Sequence, residues 1–269
     1  MTTSDPEGIF DHLVGHDGAK AILRNALRGG DVHIMLTGPP ASGKSVALLA
    51  IEEAIEGAKY IESHGLSERK LRDTLSEDPP ALLLDEFDDM KRDAFKALNT
   101  ALEQGRVIKN VTGDSYDREI NTQVFVACNN SDKVQSDILD RFVQVDFKPH
   151  SKWEFTQVCM EWLPQQVDWI GKVVDGDRIA ALIAEDVWKE TENPSIRTAL
   201  YAAKLANSLS EAQNMVTAMQ DSKADIDSDP ITPEELPHTD WVENNTEQSN
   251  KPKSLDDIRK KMADEDSNE

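Results

Sequence analysis

The stretch Gly38-Pro39-Pro40-Ala41-Ser42-Gly43-Lys44-Ser45 places two glycines, a lysine and a hydroxyl at a spacing suited to gripping phosphates. Glycine lets bare backbone N–H groups turn toward an anion, and the helix after it adds the positive end of its dipole. The lysine then reaches the β- and γ-oxygens, and the adjoining hydroxyl can ligate magnesium. Four such positions match by chance in roughly one per cent of chains this long, and the context narrows the match further. An apolar run, His33 to Thr37, leads in. Lys44 to Glu56 leads out, with Val46, Leu48, Leu49, Ile51 and Ile55 at helical spacing. A glycine loop between strand and helix is what the mechanism requires. The expected ligands are therefore ATP and Mg2+, with Ser45 on the metal.

Three further residues belong to the same chemistry. Asp85-Glu86 closes the apolar run Ala81-Leu82-Leu83-Leu84, and in open α/β sheets ligands bind at the carboxyl ends of strands. Asp85 is expected to hold magnesium through water, and Glu86 to orient and deprotonate the attacking water. Asn129 ends another apolar strand, Val124 to Cys128, at the same sheet edge. Its neutral amide can donate to the γ-phosphate or position the water. Arg197, in Asn193-Pro194-Ser195-Ile196-Arg197-Thr198, falls in the first turn of a helix, where the dipole disfavours a cation. A charge so placed points to an anionic partner, and ATP is the obvious one.

The elements that must position these residues are set by periodicity. Residues 17–29 read as an amphipathic helix stopped by Gly29-Gly30, and residues 67–76 as a helix opened by Ser67. Asp93 to Gln104 is helical, and Gly105 stops it. Val107–Val111 and Arg118–Asn121 flank Thr112-Gly113-Asp114-Ser115 as a β-hairpin. A helix to Arg141 and a last strand, Val143 to Phe147, complete an α/β part. From residue 151 the pattern is helical, over Trp153–Trp162, Asp177–Ala184 and Ile196–Ala212. The expected fold class is α/β, a parallel sheet flanked by helices, over residues 1–150. A small α-helical lid domain is expected over 151–220 and a mostly disordered acidic tail over 221–269. Within the tail, residues 254–263 carry helix signals: Ser254 as N-cap, acids first and bases last.

Composition bounds the rest. The 269 residues carry 29 Lys plus Arg against 51 Asp plus Glu, a formal charge of −22. Residues 221–269 hold 15 acids and six bases, so the tail supplies only −9 of it. Such an acidic body fits a high-salt cytoplasm, where screening over about 3 Å at 1 M removes self-repulsion, in a halophile or its virus. Two cysteines, Cys128 and Cys159, no signal sequence and no apolar run near the ~20 residues of a membrane span lead to a reduced, cytoplasmic protein without membrane contact.

Taken in order, these motifs resemble the AAA+ family of P-loop NTPases, over about residues 8–210. The resemblance makes Gly38–Ser45 a Walker A loop, 81–86 a Walker B strand, Asn129 sensor 1, Arg141 in Leu139-Asp140-Arg141-Phe142 an arginine finger, and Arg197 sensor 2. It also implies that Phe10-Asp11-His12-Leu13-Val14-Gly15-His16 cradles adenine on the backbone around Val14 and Gly15. The hairpin before sensor 1 is similar to the clade of RuvB-like, MCM-like and MoxR-like proteins. The resemblance implies an ATPase working as a ring, with a hexamer expected, in which Arg141 serves a neighbour's ATP. Two substrates stay open: DNA, for a helicase-like or loader-like motor of replication or recombination, and a protein client, for a MoxR-like chaperone. No Lys/Arg-rich patch supports DNA, so Lys109 and Arg118 on the hairpin would have to make the phosphate contacts.

Overall fold

The computed structural model describes residues 8–111, 114–191 and 193–227. Its centre is a five-stranded parallel sheet in the order β2-β3-β6-β1-β7. The strands are β1 (Ile34–Thr37), β2 (Lys59–Glu62), β3 (Ala81–Asp85), β6 (Gln123–Cys128) and β7 (Val143–Asp146). β4 (Arg106–Val111) and β5 (Asp114–Glu119) form the separate antiparallel hairpin. The central strands read as unbroken apolar runs because both of their faces are covered. Leu82, Leu84, Val124 and Val126 enter one core with α3 (Glu68–Ser76) and α4 (Arg92–Gln104). Ala81, Leu83, Phe125 and Ala127 enter a second core with α1 (Asp17–Gly29) and α2 (Lys44–Ala54).

A third core holds the later helices: α6 (Lys152–Gln166), α7 (Asp168–Gly171), α8 (Gly176–Glu190), α9 (Ile196–Lys204) and the start of α10 (Leu209–Asp227). Phe155, Cys159, Ile183, Val187 and Ala199 lie fully inside it or nearly so. All three cores belong to one compact unit, Met1–Ser222.

Several expectations change. The stretch 196–212 is not one helix: Leu205 ends α9, and Ser208 opens α10 by accepting from Glu211 N–H at 3.3 Å while Glu211 Oε2 accepts from Asn207 N–H at 2.8 Å. That reciprocal cap stabilises a fresh start over a continuous helix. The helix expected up to Arg141 is instead a 3-10 turn (Ser131–Lys133) and a single α turn, α5 (Ser136–Leu139). The second hairpin strand begins at Asp114 rather than Arg118, because backbone pairing with β4 extends through Asp114-Ser115-Tyr116-Asp117, with Tyr116 packed against the first core. Strand β2 is an addition that periodicity does not predict. α10 runs to Asp227, and the helix signals at 254–263 lie outside the described residues. Among the described residues no helix is long and apolar enough to cross a membrane.

One polar tie joins the start of β1 to the neighbouring strand β6. Val124 N–H donates to Nδ1 of His33 at 3.1 Å, which requires an unprotonated Nδ1, and burial lowers the His33 pKa. Burial also lowers the pKa of His16 and His150. The unfolded chain therefore takes up protons below about pH 6.5 that the folded chain refuses, and stability falls as pH falls through that value. We expect the thermal midpoint to drop between pH 7 and 5.5, with ~1.4 kcal/mol of stability per pH unit as the ceiling for each such histidine. Solvent that still reaches these rings screens the effect below that ceiling. His33→Asn, which keeps an acceptor but cannot titrate, should show a shallower drop in a pH series of thermal melts.

Candidate functional site

The parallel register brings the carboxyl ends of β1, β3 and β6 to one edge, and each leads into a residue group of interest: the phosphate loop, Asp85-Glu86 and Asn129. At this edge opens a cavity of about 670 Å³, large enough for a nucleotide. Pro40, Ala41, Gly43, Lys44 and Ser45 line it from the loop. Asp85, Glu86 and Asn129 line it from the strand ends, Val14 from the N-terminal segment, and Arg197 from α9. Residues separated by up to 185 positions, His12 to Arg197, thus face one space.

The loop conformation is enforced by its contacts. Gly38 has φ 145°, and a Cβ there would overlap the carbonyl oxygen of Phe147. Ala41 takes the left-handed region at φ 61° without the glycine's freedom, a strain of the kind that gathers at functional sites. Lys44 is only 6% exposed, and its ammonium donates to Gly38 O at 2.8 Å, Pro39 O at 2.7 Å and Ser42 Oγ at 3.4 Å. Burial pulls its pKa below the ordinary lysine value, and the Asp85 carboxylate pulls the other way. Ser45 is exposed at the loop's end, on the first turn of α2.

Across the cavity, Asp85 Oδ1 accepts the Glu86 N–H at 2.8 Å and Oδ2 accepts the Tyr60 hydroxyl at 2.7 Å. Glu86 stands in the left-handed region, φ 51° and ψ 45°, at the start of a 3-10 turn, and its side chain is exposed to the cavity. Asn129 N–H donates to Asp88 Oδ1 at 3.0 Å, and the residue lines the cavity. The oxygen donors Ser45 and Asp85 are the hard ligands that magnesium takes, so the residues present suit that ion.

Arg141 lies apart from this group. Its Nε donates to Asn99 Oδ1 at 3.4 Å and its Nη2 stands 3.4 Å from Glu103, both on α4, and it does not line the cavity. Gly15 is likewise displaced: it has φ 71° and packs against the Glu154 carboxylate, which a Cβ would overlap. Gly38, Pro39 and Ser42 form the back of the loop rather than its cavity face.

Sequence reasoning missed Tyr60, Glu62, His150 and the α6 face of Val158, Glu161, Trp162 and Gln165, all of which touch Asp85 or line the cavity. The spacing of 158, 161, 162 and 165 is legible as a helix face; nothing in it distinguishes a cavity wall from a core face.

Residues 34–149 match the family model "ATPase family associated with various cellular activities (AAA)". This segment, from β1 to just beyond β7, is an AAA ATPase domain, and the sheet with its flanking helices is the P-loop NTPase fold. Among solved structures, a proline-to-glycine mutant of Thermotoga maritima RuvB superposes with a TM-score of 0.58 at 16% identity, covering 78% of this chain and 72% of that one. The structure described as the Thermotoga maritima RuvB Holliday junction branch migration motor gives 0.51 at 16% identity, over 77% and 70%. At that identity the likeness is one of fold. No curated protein matches the sequence.

The close approach of loop and strand makes a direct test. Gly38→Ala should destabilise the protein by about 2 kcal/mol or more, because the added Cβ collides with backbone that cannot rotate away. Gly65→Ala, at φ 75° with open space around it, should cost about 1 kcal/mol for the conformation alone. Thermal melts of the two variants without nucleotide should separate by several degrees.

Proposed function

We propose that this chain is an ATP-hydrolysing motor that assembles into a ring and acts on branched or forked DNA in replication or recombination. The observation that carries the reading is the cavity lined jointly by Lys44, Asp85, Glu86, Asn129 and Arg197. In this reading Lys44 and the backbone N–H groups of the loop hold the β- and γ-phosphates, and Val14 lies against the base. Ser45 would hold Mg2+ directly and Asp85 through water, and the ion would supply neutralisation of charge on the phosphate oxygens. Glu86 orients a water and takes its proton as the water oxygen bonds to the γ-phosphorus. The bond from that phosphorus to the β–γ bridging oxygen breaks, leaving ADP and inorganic phosphate. Asn129 donates to the γ-phosphate, and Arg197 engages it from the helical part, residues 151–220, which serves as a lid.

Arg141 faces α4 rather than its own cavity, which favours service to a neighbouring subunit's ATP in a head-to-tail ring, a hexamer by family resemblance. With −22 charges per chain, assembly is expected to improve in molar salt, as in a halophilic cytoplasm.

A second reading, remodelling of a protein client, is favoured by the hairpin itself. Arg106 Nε donates to Asp117 Oδ1 at 2.8 Å, and Arg118 Nη1 donates to Ser76 O at 2.9 Å. These guanidinium groups are already engaged with their own chain, which leaves fewer cations for DNA phosphates. ATPase assays in molar KCl with forked, single-stranded and duplex DNA separate the two: stimulation by DNA supports the motor, and stimulation only by a protein client supports the chaperone.

Lys44→Ala should abolish ATP binding, whereas Glu86→Gln should keep binding and lose turnover by about 10²-fold or more, since one contacts phosphate and the other only water. Equal loss of nucleotide binding in both, measured with a fluorescent ATP analogue, would contradict these roles. Mixing Arg141→Ala subunits, with intact cavities, and Lys44→Ala subunits, with intact arginines, should restore turnover above the sum of the two alone. Normal hydrolysis by monomeric Arg141→Ala would rule out a shared site.

A further inference from the structure

Tyr60 sits on β2, paired through the backbone with Leu83, while Glu62 pairs with Asp85. Its ring packs on the core formed with α1 and α2, and its hydroxyl donates to Asp85 Oδ2 at 2.7 Å. The opposite oxygen, Oδ1, accepts the Glu86 N–H at 2.8 Å. The carboxylate is thus held from both ends, by a backbone amide and by a phenol whose ring has only two rotatable bonds. Each carboxylate oxygen keeps a second lone-pair direction, so both remain able to accept from a metal-bound water. A phenol is protonated throughout the neutral range, so the Tyr60 hydroxyl is the donor in this contact. Glu62 lines the cavity beside Asp85.

We propose that Tyr60 is a positioning residue for magnesium: its hydrogen bond sets the Asp85 carboxylate in the orientation that receives the ion with the nucleotide. The inference rests on the ATPase reading above. A hydrogen bond to a charged group of this kind is worth a several-fold change in the equilibrium it supports.

The test uses the full chain and a fluorescent ATP analogue, with binding titrated against Mg2+ from an EDTA baseline. Tyr60→Phe keeps the ring and removes only the hydroxyl. It should raise the half-saturating Mg2+ concentration by about 3- to 10-fold, leave nucleotide affinity in EDTA unchanged, and approach the parent's affinity when Mg2+ is raised to saturation. Loss of packing alone would lower affinity equally with and without the metal, and that result would overturn the inference. In an Asp85→Asn background, Tyr60→Phe should shift the Mg2+ dependence no further, because the two residues act through one contact. A parent chain whose nucleotide binding ignores Mg2+ would overturn the functional reading and this inference together. A parent that depends on Mg2+, paired with a Tyr60→Phe variant of identical dependence, would overturn this inference alone, as would an independent shift in the Asp85→Asn background.

Discussion

A lysine ammonium almost removed from water is the constraint around which the rest of the cavity is built. Lys44 has three donors and no acceptor, and it is supplied with three acceptors: the carbonyls of Gly38 and Pro39 and the hydroxyl of Ser42. A buried cation without such partners would incur several kcal/mol of desolvation. The loop must therefore curl back on the lysine, and that curl is possible only with the backbone it has. Gly38 passes against the Phe147 carbonyl and Gly43 passes against Leu13, each where a Cβ would intrude. Ala41 adopts a left-handed conformation between them. The same closure that satisfies the ammonium leaves the backbone from Ala41 to Ser45 at the head of α2, the arrangement that attracts a phosphate.

The second strained residue, Glu86, is fixed from the other side of the cavity. Its left-handed conformation lets its N–H reach back to Asp85 Oδ1 and starts the 3-10 turn that buries Phe87. Phe87 packs edge-on against Phe95 and Phe142, so the turn is anchored in the core shared with α3 and α4. A strained conformation persists only when its surroundings over-determine it. Here the hydrogen bond on one side and the aromatic cluster on the other do so, and the Glu86 side chain is presented to the cavity as a result.

The loop and the central strands are legible in the sequence for a physical reason: both are local. A phosphate loop is a contiguous string, and a strand buried on both faces is a contiguous apolar run. Tyr60 is invisible there because Lys59-Tyr60-Ile61-Glu62 is an edge strand, half exposed and polar at both ends, with neither a full run nor a turn signal to bound it. The break at Leu205 is hidden because Ser208 and Glu211 sit inside a sequence that also scans as helix, and only the reciprocal cap shows which reading wins. Arg141 is the intermediate case. Its residue type stands out, yet its direction depends on Asn99 and Glu103, far upstream on α4, which no local pattern specifies.

The helical part is joined to the cavity through one short connector, Phe147 to Ser151. Phe147 donates its N–H to Thr37 O at 2.7 Å, offers its carbonyl to the back of the phosphate loop at Gly38, and stacks its ring on His16 at 4.6 Å. Ser151 then opens α6 with a capping box in which Glu154 Oε2 accepts the Ser151 N–H at 2.7 Å. That same Glu154 lies against Gly15, in the segment proposed to receive the base. The phosphate loop, the N-terminal segment and the start of α6 are therefore fastened to this connector. A nucleotide can shift an equilibrium only through contacts that differ between its states. On the reading proposed above, a nucleotide would touch the loop on one side of this connector and Arg197 on the other, so Phe147 and Glu154 stand where phosphate binding and the placement of α6 to α9 would meet.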